Sequence, residues 1–66
     1  MVSLKITAMV WNNEHYPFEM NDLEPQVREK AIEIANKLKE ERTVSELSIV
    51  PEAIKLAQEW YLNMEG

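Results

Sequence analysis

The chain has 66 residues, no cysteine and a single glycine at its end, and it carries 12 acidic against 7 basic side chains for a net charge of −5. A length this short is expected to give one domain over 1–66 with a small core, and the missing thiols exclude a disulfide framework or a thiolate metal site. The acidic balance repels phosphate backbones and anionic membranes, so it points away from nucleic acid and toward basic or apolar protein partners.

In chain order, Val2, Leu4, Ile6, Ala8 and Val10 alternate with Ser3, Lys5, Thr7 and Met9. That period of two reads as a strand-like segment over about 2–10. A strand needs a ladder partner. Three arrangements stay open: pairing with Ser45–Val50, a frayed end, or an edge contributed by a second copy, which would make a homodimer.

From Trp11 to Asp22 the pattern is irregular. Asn12-Asn13 suits a turn, and Pro17 pushes Tyr16 into an extended conformation. Trp11, Tyr16, Phe18 and Met20 are too dense a group of large apolar side chains for open water and are expected to lie as a lid on the core.

A long helix is predicted over about 24–42. Pro25 falls in its first turn, where the missing amide hydrogen costs nothing, and Asn21 or Asp22 can cap it. Val27, Ala31, Ile34 and Leu38, with Ala35 beside them, gather on one face at about 100° per residue. Gln26, Glu29, Glu33, Asn36, Lys37 and Glu40 lie opposite, and Glu24/Arg28 and Glu33/Lys37 have ion-pair spacing. Replacing Ile34 or Leu38 by alanine is expected to cost about 2–5 kcal/mol.

Thr43-Val44-Ser45-Glu46 then has the form of a capping box and predicts a short helix over about 44–49, with a strand over Leu47–Val50 as the alternative. Pro51 is expected to open the C-terminal helix, about 51–64. Ala53, Leu56, Ala57, Trp60, Tyr61 and Met64 make its apolar face, and Leu62 projects the other way. The fold class is therefore mainly α, a compact small helical domain with a strand-like N-terminal segment. No run approaches the roughly 20 apolar residues of a membrane-crossing helix, and the N-terminal run lacks the form of a secretory signal, so a cytoplasmic setting is expected.

Trp11, Tyr16-Pro17, Leu23, the run Val27–Asn36, Ile49-Val50-Pro51-Glu52-Ala53-Ile54 and Ala57-Gln58-Glu59-Trp60-Tyr61 together resemble the YdaT-like small bacterial proteins of unknown function. More distantly they resemble the ChaB-type domains. The resemblance covers about Trp11 to Met64 and implies a mostly helical domain without an assigned activity. Two features depart from the pattern: the N-terminal segment is an addition, and Glu40–Glu46 lacks the usual glycine-containing turn.

No set of residues forms a reactive constellation. His15 stands near Glu14, Glu19 and Asp22, but one histidine without a second at ligand spacing reads as a loop residue. Glu29 with Glu33, and Glu40 with Glu41, lie on a wet face beside Lys30 and Lys37, whereas acid–base work needs carboxylates in a cleft. Ser45 and Ser48 read as capping residues, and a phosphate-binding glycine loop cannot be built from Gly66 alone. No catalytic, cofactor-binding or metal-binding residue is expected, and the chain is read as a non-enzyme.

Trp11, Tyr16, Phe18, Trp60 and Tyr61 are read as core packing rather than as a base-stacking platform. Ile32 and Leu62 lie off their helices' core stripes and are the candidate partner-binding residues, an exposed patch if they are neighbours. The expected function is a small acidic protein-interaction module, acting on a protein partner or on a second copy. The alternative is an acidic nucleic-acid mimic that occupies a DNA- or RNA-binding protein, through Glu14, Glu19, Asp22, Glu40, Glu41 and Glu46.

Overall fold

Two helices and the four residues that join them set the architecture. The computed structural model describes residues 11–65. The first helix, α1, runs Pro25–Glu41, with Glu24 in extended backbone as the residue before it and Pro25 in its first turn. No side chain caps this end, so Asn21 and Asp22 do not serve the role expected of them. At the other end Arg42 takes left-handed backbone (φ 57°, ψ 36°) and its N–H bonds the Leu38 carbonyl at 2.9 Å. An arginine here does what glycine does in most such turns, which is how a segment without glycine still reverses direction.

The second helix, α2, runs unbroken from Glu46 to Glu65 and has Pro51 inside it. The short helix expected over 44–49 and the C-terminal helix expected over 51–64 are thus one element. The strand alternative for Leu47–Val50 is excluded. Thr43 does not cap; Ser45 precedes the first turn, its carbonyl accepting from Ser48 N–H at 2.9 Å and its hydroxyl donating to Ser48 Oγ at 3.2 Å. Pro51 removes the N–H that would bond the Leu47 carbonyl. Both residues are exposed, so water can take up that carbonyl and the helix continues past the proline.

α1 and α2 pack antiparallel. Near the turn Lys39 Nζ meets both carboxylate oxygens of Glu46 at 2.8 Å, and toward the far end Lys30 Nζ lies 5.2 Å over the Trp60 ring. This register sets Ala35 level with Ala53 and Ala31 with Ala57, all four fully buried. Small side chains spaced by four on both helices let the backbones approach closely. Val27, Ile32, Ile49 and Met20 complete the buried cluster, and Ile34, Leu38, Val50, Ile54 and Tyr61 pack half-buried around it. Ile34 and Leu38 therefore flank the seam rather than fill it. Met64 was expected in the core but is exposed, because α2 at that point has passed the start of α1.

The segment before α1 folds back along it. Met20, in the 3₁₀ turn Phe18–Met20, is fully buried, and Trp11 and Tyr16 are half-buried. Phe18 is 83% exposed, so it is not part of the expected lid. Arg28 fastens this segment: its guanidinium lies 5.0 Å over the Tyr16 ring and donates to the Leu23 carbonyl at 3.4 Å. The ion pairs expected at Glu24/Arg28 and Glu33/Lys37 are replaced by Lys30–Glu33 and Lys39–Glu46 among the described residues. The described residues thus form a small, mainly α domain of two helices with no strand. The strand-like segment expected over 2–10 lies outside them.

Candidate functional site

Two surfaces carry features that the fold itself does not consume. The first is an open groove of about 510 Å³ between the 11–13 segment, the outer flank of α1 and Trp60 of α2. Its position follows from a hydrogen-bonded turn. Asn12 Oδ1 accepts from the N–H groups of Glu14 (2.8 Å) and His15 (2.9 Å), and Asn12 and His15 exchange backbone bonds at 2.9 and 3.1 Å. Asparagine forms such turns readily because its side chain imitates a backbone carbonyl. The turn holds Trp11 against α1. There the Asn36 side chain grips the Trp11 backbone: Trp11 N–H donates to Asn36 Oδ1 and Asn36 Nδ2 donates to the Trp11 carbonyl, both at 2.9 Å.

Trp11 and Trp60 both line this groove, with Ile32 and Asn36 along α1 and Glu29 and Glu33 beside them. Lys30 Nζ sits over the Trp60 ring and 3.3 Å from Glu33 Oε1. An ammonium held by an aromatic face and a carboxylate together is a cation site, filled here by the protein's own lysine.

The second surface is the outer face of α2. Leu47, Pro51, Ile54, Gln58 and Leu62 recur at steps of four, three, four and four, which confines them to a strip about 80° wide. Leu47 is 92% exposed and Leu62 67% exposed. Ile54 is half-buried, and Pro51 and Gln58 are exposed.

The two residues expected to form one partner-binding patch are thus separated. Leu62 is on the surface, but Ile32 is only 6% exposed and belongs to the core cluster. It lies four residues before Asn36, on the flank of α1 that the 11–16 segment returns along. That second contact face of α1 is invisible to a reading that lets only α2 pack on it. Asn36, expected on the wet face, is buried for the same reason. The signal that could have located this face is Ile32 itself, an apolar residue placed four before an asparagine.

Other candidate residues separate as well. His15 is exposed in the turn, and no three metal-ligating side chains cluster among the described residues. Ser45 and Ser48 bond to one another at the start of α2. Trp60 and Tyr61 are half-buried with ring centroids 6.5 Å apart. Of the acids considered for nucleic-acid mimicry, Glu14, Glu19, Asp22, Glu40 and Glu41 are exposed, and Glu46 is bridged to Lys39. Among the described residues no helix is long and apolar enough to cross a membrane.

No family model, curated protein or solved structure matches the chain.

Proposed function

We propose that the protein is a small acidic interaction module of the cytoplasm, without enzymatic activity, that associates through the outer strip of α2. The observation that carries this reading is the near-complete exposure of Leu47, with Leu62 two-thirds exposed, on a helix whose opposite face is already buried. Single exposed leucines are ordinary, but a strip running the length of one helix fits the apolar face of another.

A second copy supplies such a face. Leu47 and Leu62 are fifteen residues apart, about 22 Å along the helix at 1.5 Å per residue. A twofold axis between Ile54 and Lys55 sets Leu47 of each copy against Leu62 of the other, the reciprocity a symmetric dimer needs. Light scattering on the full chain tests this. The parent should dimerise with rising concentration, and Leu47→Asp or Leu62→Asp should leave a folded monomer. A parent that is monomeric at every concentration overturns the self-pairing.

The nucleic-acid-mimic reading is supported by the exposed carboxylates of Glu14, Glu19, Asp22, Glu40 and Glu41. Salt separates the two. Contacts between exposed charges weaken steeply as the screening length shortens, whereas apolar association does not.

A further inference from the structure

We infer that the groove between Trp11 and Trp60 receives an arginine side chain from a basic partner chain, and that Lys30 is the protein's own occupant of that position. The argument begins with what the groove already holds. Lys30 Nζ lies 5.2 Å over the Trp60 ring and 3.3 Å from Glu33 Oε1, so an aromatic face and a carboxylate converge on one cation. The Lys30 side chain is 29% exposed, and it reaches this place along the wall of an open cleft rather than from inside the core. A lysine chain is flexible, and its ammonium can leave for water at small cost.

The remaining lining favours a cation over other ligands. Glu29 and Glu33 bring two negative charges, and Lys30 is the one basic group among the described residues of the lining. Asn13 and Gln26 add uncharged side-chain amides to the same lining. A phosphate or carboxylate ligand would meet this lining with like charge. Guanidinium fits it better than ammonium does: its flat face stacks on an indole while its edge directs several N–H donors at carboxylate and amide oxygens. The volume of about 510 Å³ lies within the range for a defined ligand site and leaves room for the chain on either side of the arginine. This inference is independent of the α2 strip and survives if the protein proves monomeric.

Displacement makes a prediction that simple charge attraction does not. If Lys30 competes for the position, Lys30→Gln should strengthen binding, whereas Lys37→Gln, exposed on α1 and outside the groove, should change it far less. The experiment is a proton–nitrogen NMR titration of the full chain with a blocked Gly-Arg-Gly peptide, following the Trp11 and Trp60 indole signals. The control peptide carries citrulline, which has arginine's shape without its charge.

The expected result is a saturable shift of both indoles with the arginine peptide and none with citrulline. Lys30→Gln should bind about threefold tighter or more, in line with one exposed cation–π contact, and Glu33→Gln should bind more weakly. Unchanged amide spectra away from the groove establish that the variants are folded. Equal shifts with citrulline, no shift with arginine, or equal tightening by Lys30→Gln and Lys37→Gln would each overturn the inference.

Discussion

Asn36 and Trp11 exchange two hydrogen bonds across a gap of twenty-five residues, each 2.9 Å long. The side-chain amide offers one donor and one acceptor in the plane of the peptide it faces, so it pairs with the Trp11 backbone as a neighbouring strand would. Residue 11 thereby gains a backbone partner, and no sheet is present among the described residues. The same contact places Trp11 at the edge of the groove. A single buried asparagine links the path of the 11–16 segment to a groove lined by both Trp11 and Trp60.

Replacing Asn36 by alanine should cost about 1–3 kcal/mol, because a donor and an acceptor of Trp11 lose their partners in a half-buried place. Asn36→Asp gives a sharper test. Asn36 is 7% exposed, and burial there disfavours a carboxylate facing the Trp11 carbonyl. The introduced group holds its proton more tightly in the folded state than in the unfolded one. Stability should therefore be best preserved in acid and fall as pH rises through the folded-state value. Urea denaturation of this variant at pH 4 and pH 8 checks the sign; a smaller loss at pH 8 would show that the amide is not paired as described.

The helices were legible because periodicity reports a helix packed on one neighbour. Val27, Ala31 and Ala35 on α1, and Ala53 and Ala57 on α2, all fall where a 3.6-residue repeat puts them. Two kinds of feature escaped. Pro51 reads locally as a helix opener, and only the exposure of Leu47 and Pro51 explains why the helix starts a turn and a half earlier. Ile32 and Asn36 read as flank and surface because a third packing partner, the 11–16 segment, has no regular period of its own. Periodicity reads Trp60 as core packing, and its pairing with Lys30 is not encoded in spacing along either helix.

The alanine seam predicts which core substitutions matter most. Ala53→Leu or Ala35→Leu should cost about 1–3 kcal/mol, since extra methylenes at fully buried positions force the helices apart. Met20→Ala should cost about 2–5 kcal/mol through the cavity it leaves. Ile34→Ala and Leu38→Ala should fall below Met20→Ala, because both side chains are only half-buried. Chemical denaturation ranks the set, and a larger loss at Leu38 than at Met20 would contradict the packing.

Pro51→Ala should stabilise the protein. A proline in a helix interior costs about 3 kcal/mol through its lost N–H and its clash with the carbonyl four residues earlier. Up to about 1 kcal/mol of that is offset by the restricted unfolded chain. The expected net gain is about 2 kcal/mol, read from the denaturation midpoint. A loss would mean that the proline ring makes a packing contact worth more than the missing bond.

The turn gives the last test. Arg42 is the only non-glycine residue with positive φ among the described residues, and its left-handed backbone is what lets α1 stop four residues before α2 begins. For a residue with a side chain that conformation costs about 1–2 kcal/mol, and glycine escapes it. Glycine also enlarges the unfolded ensemble, which returns about 0.4–1 kcal/mol of the gain. Arg42→Gly should therefore raise stability by about 0.5–1 kcal/mol, while Arg42→Val, with its branched Cβ, should lower it. The side chain is exposed and has no ion pair among the described residues, so the comparison is one of backbone preference. Thermal unfolding of the three chains should rank them Gly above Arg above Val. If Arg42→Gly is the least stable, the turn does not adopt the conformation on which the register of Ala35 with Ala53 depends.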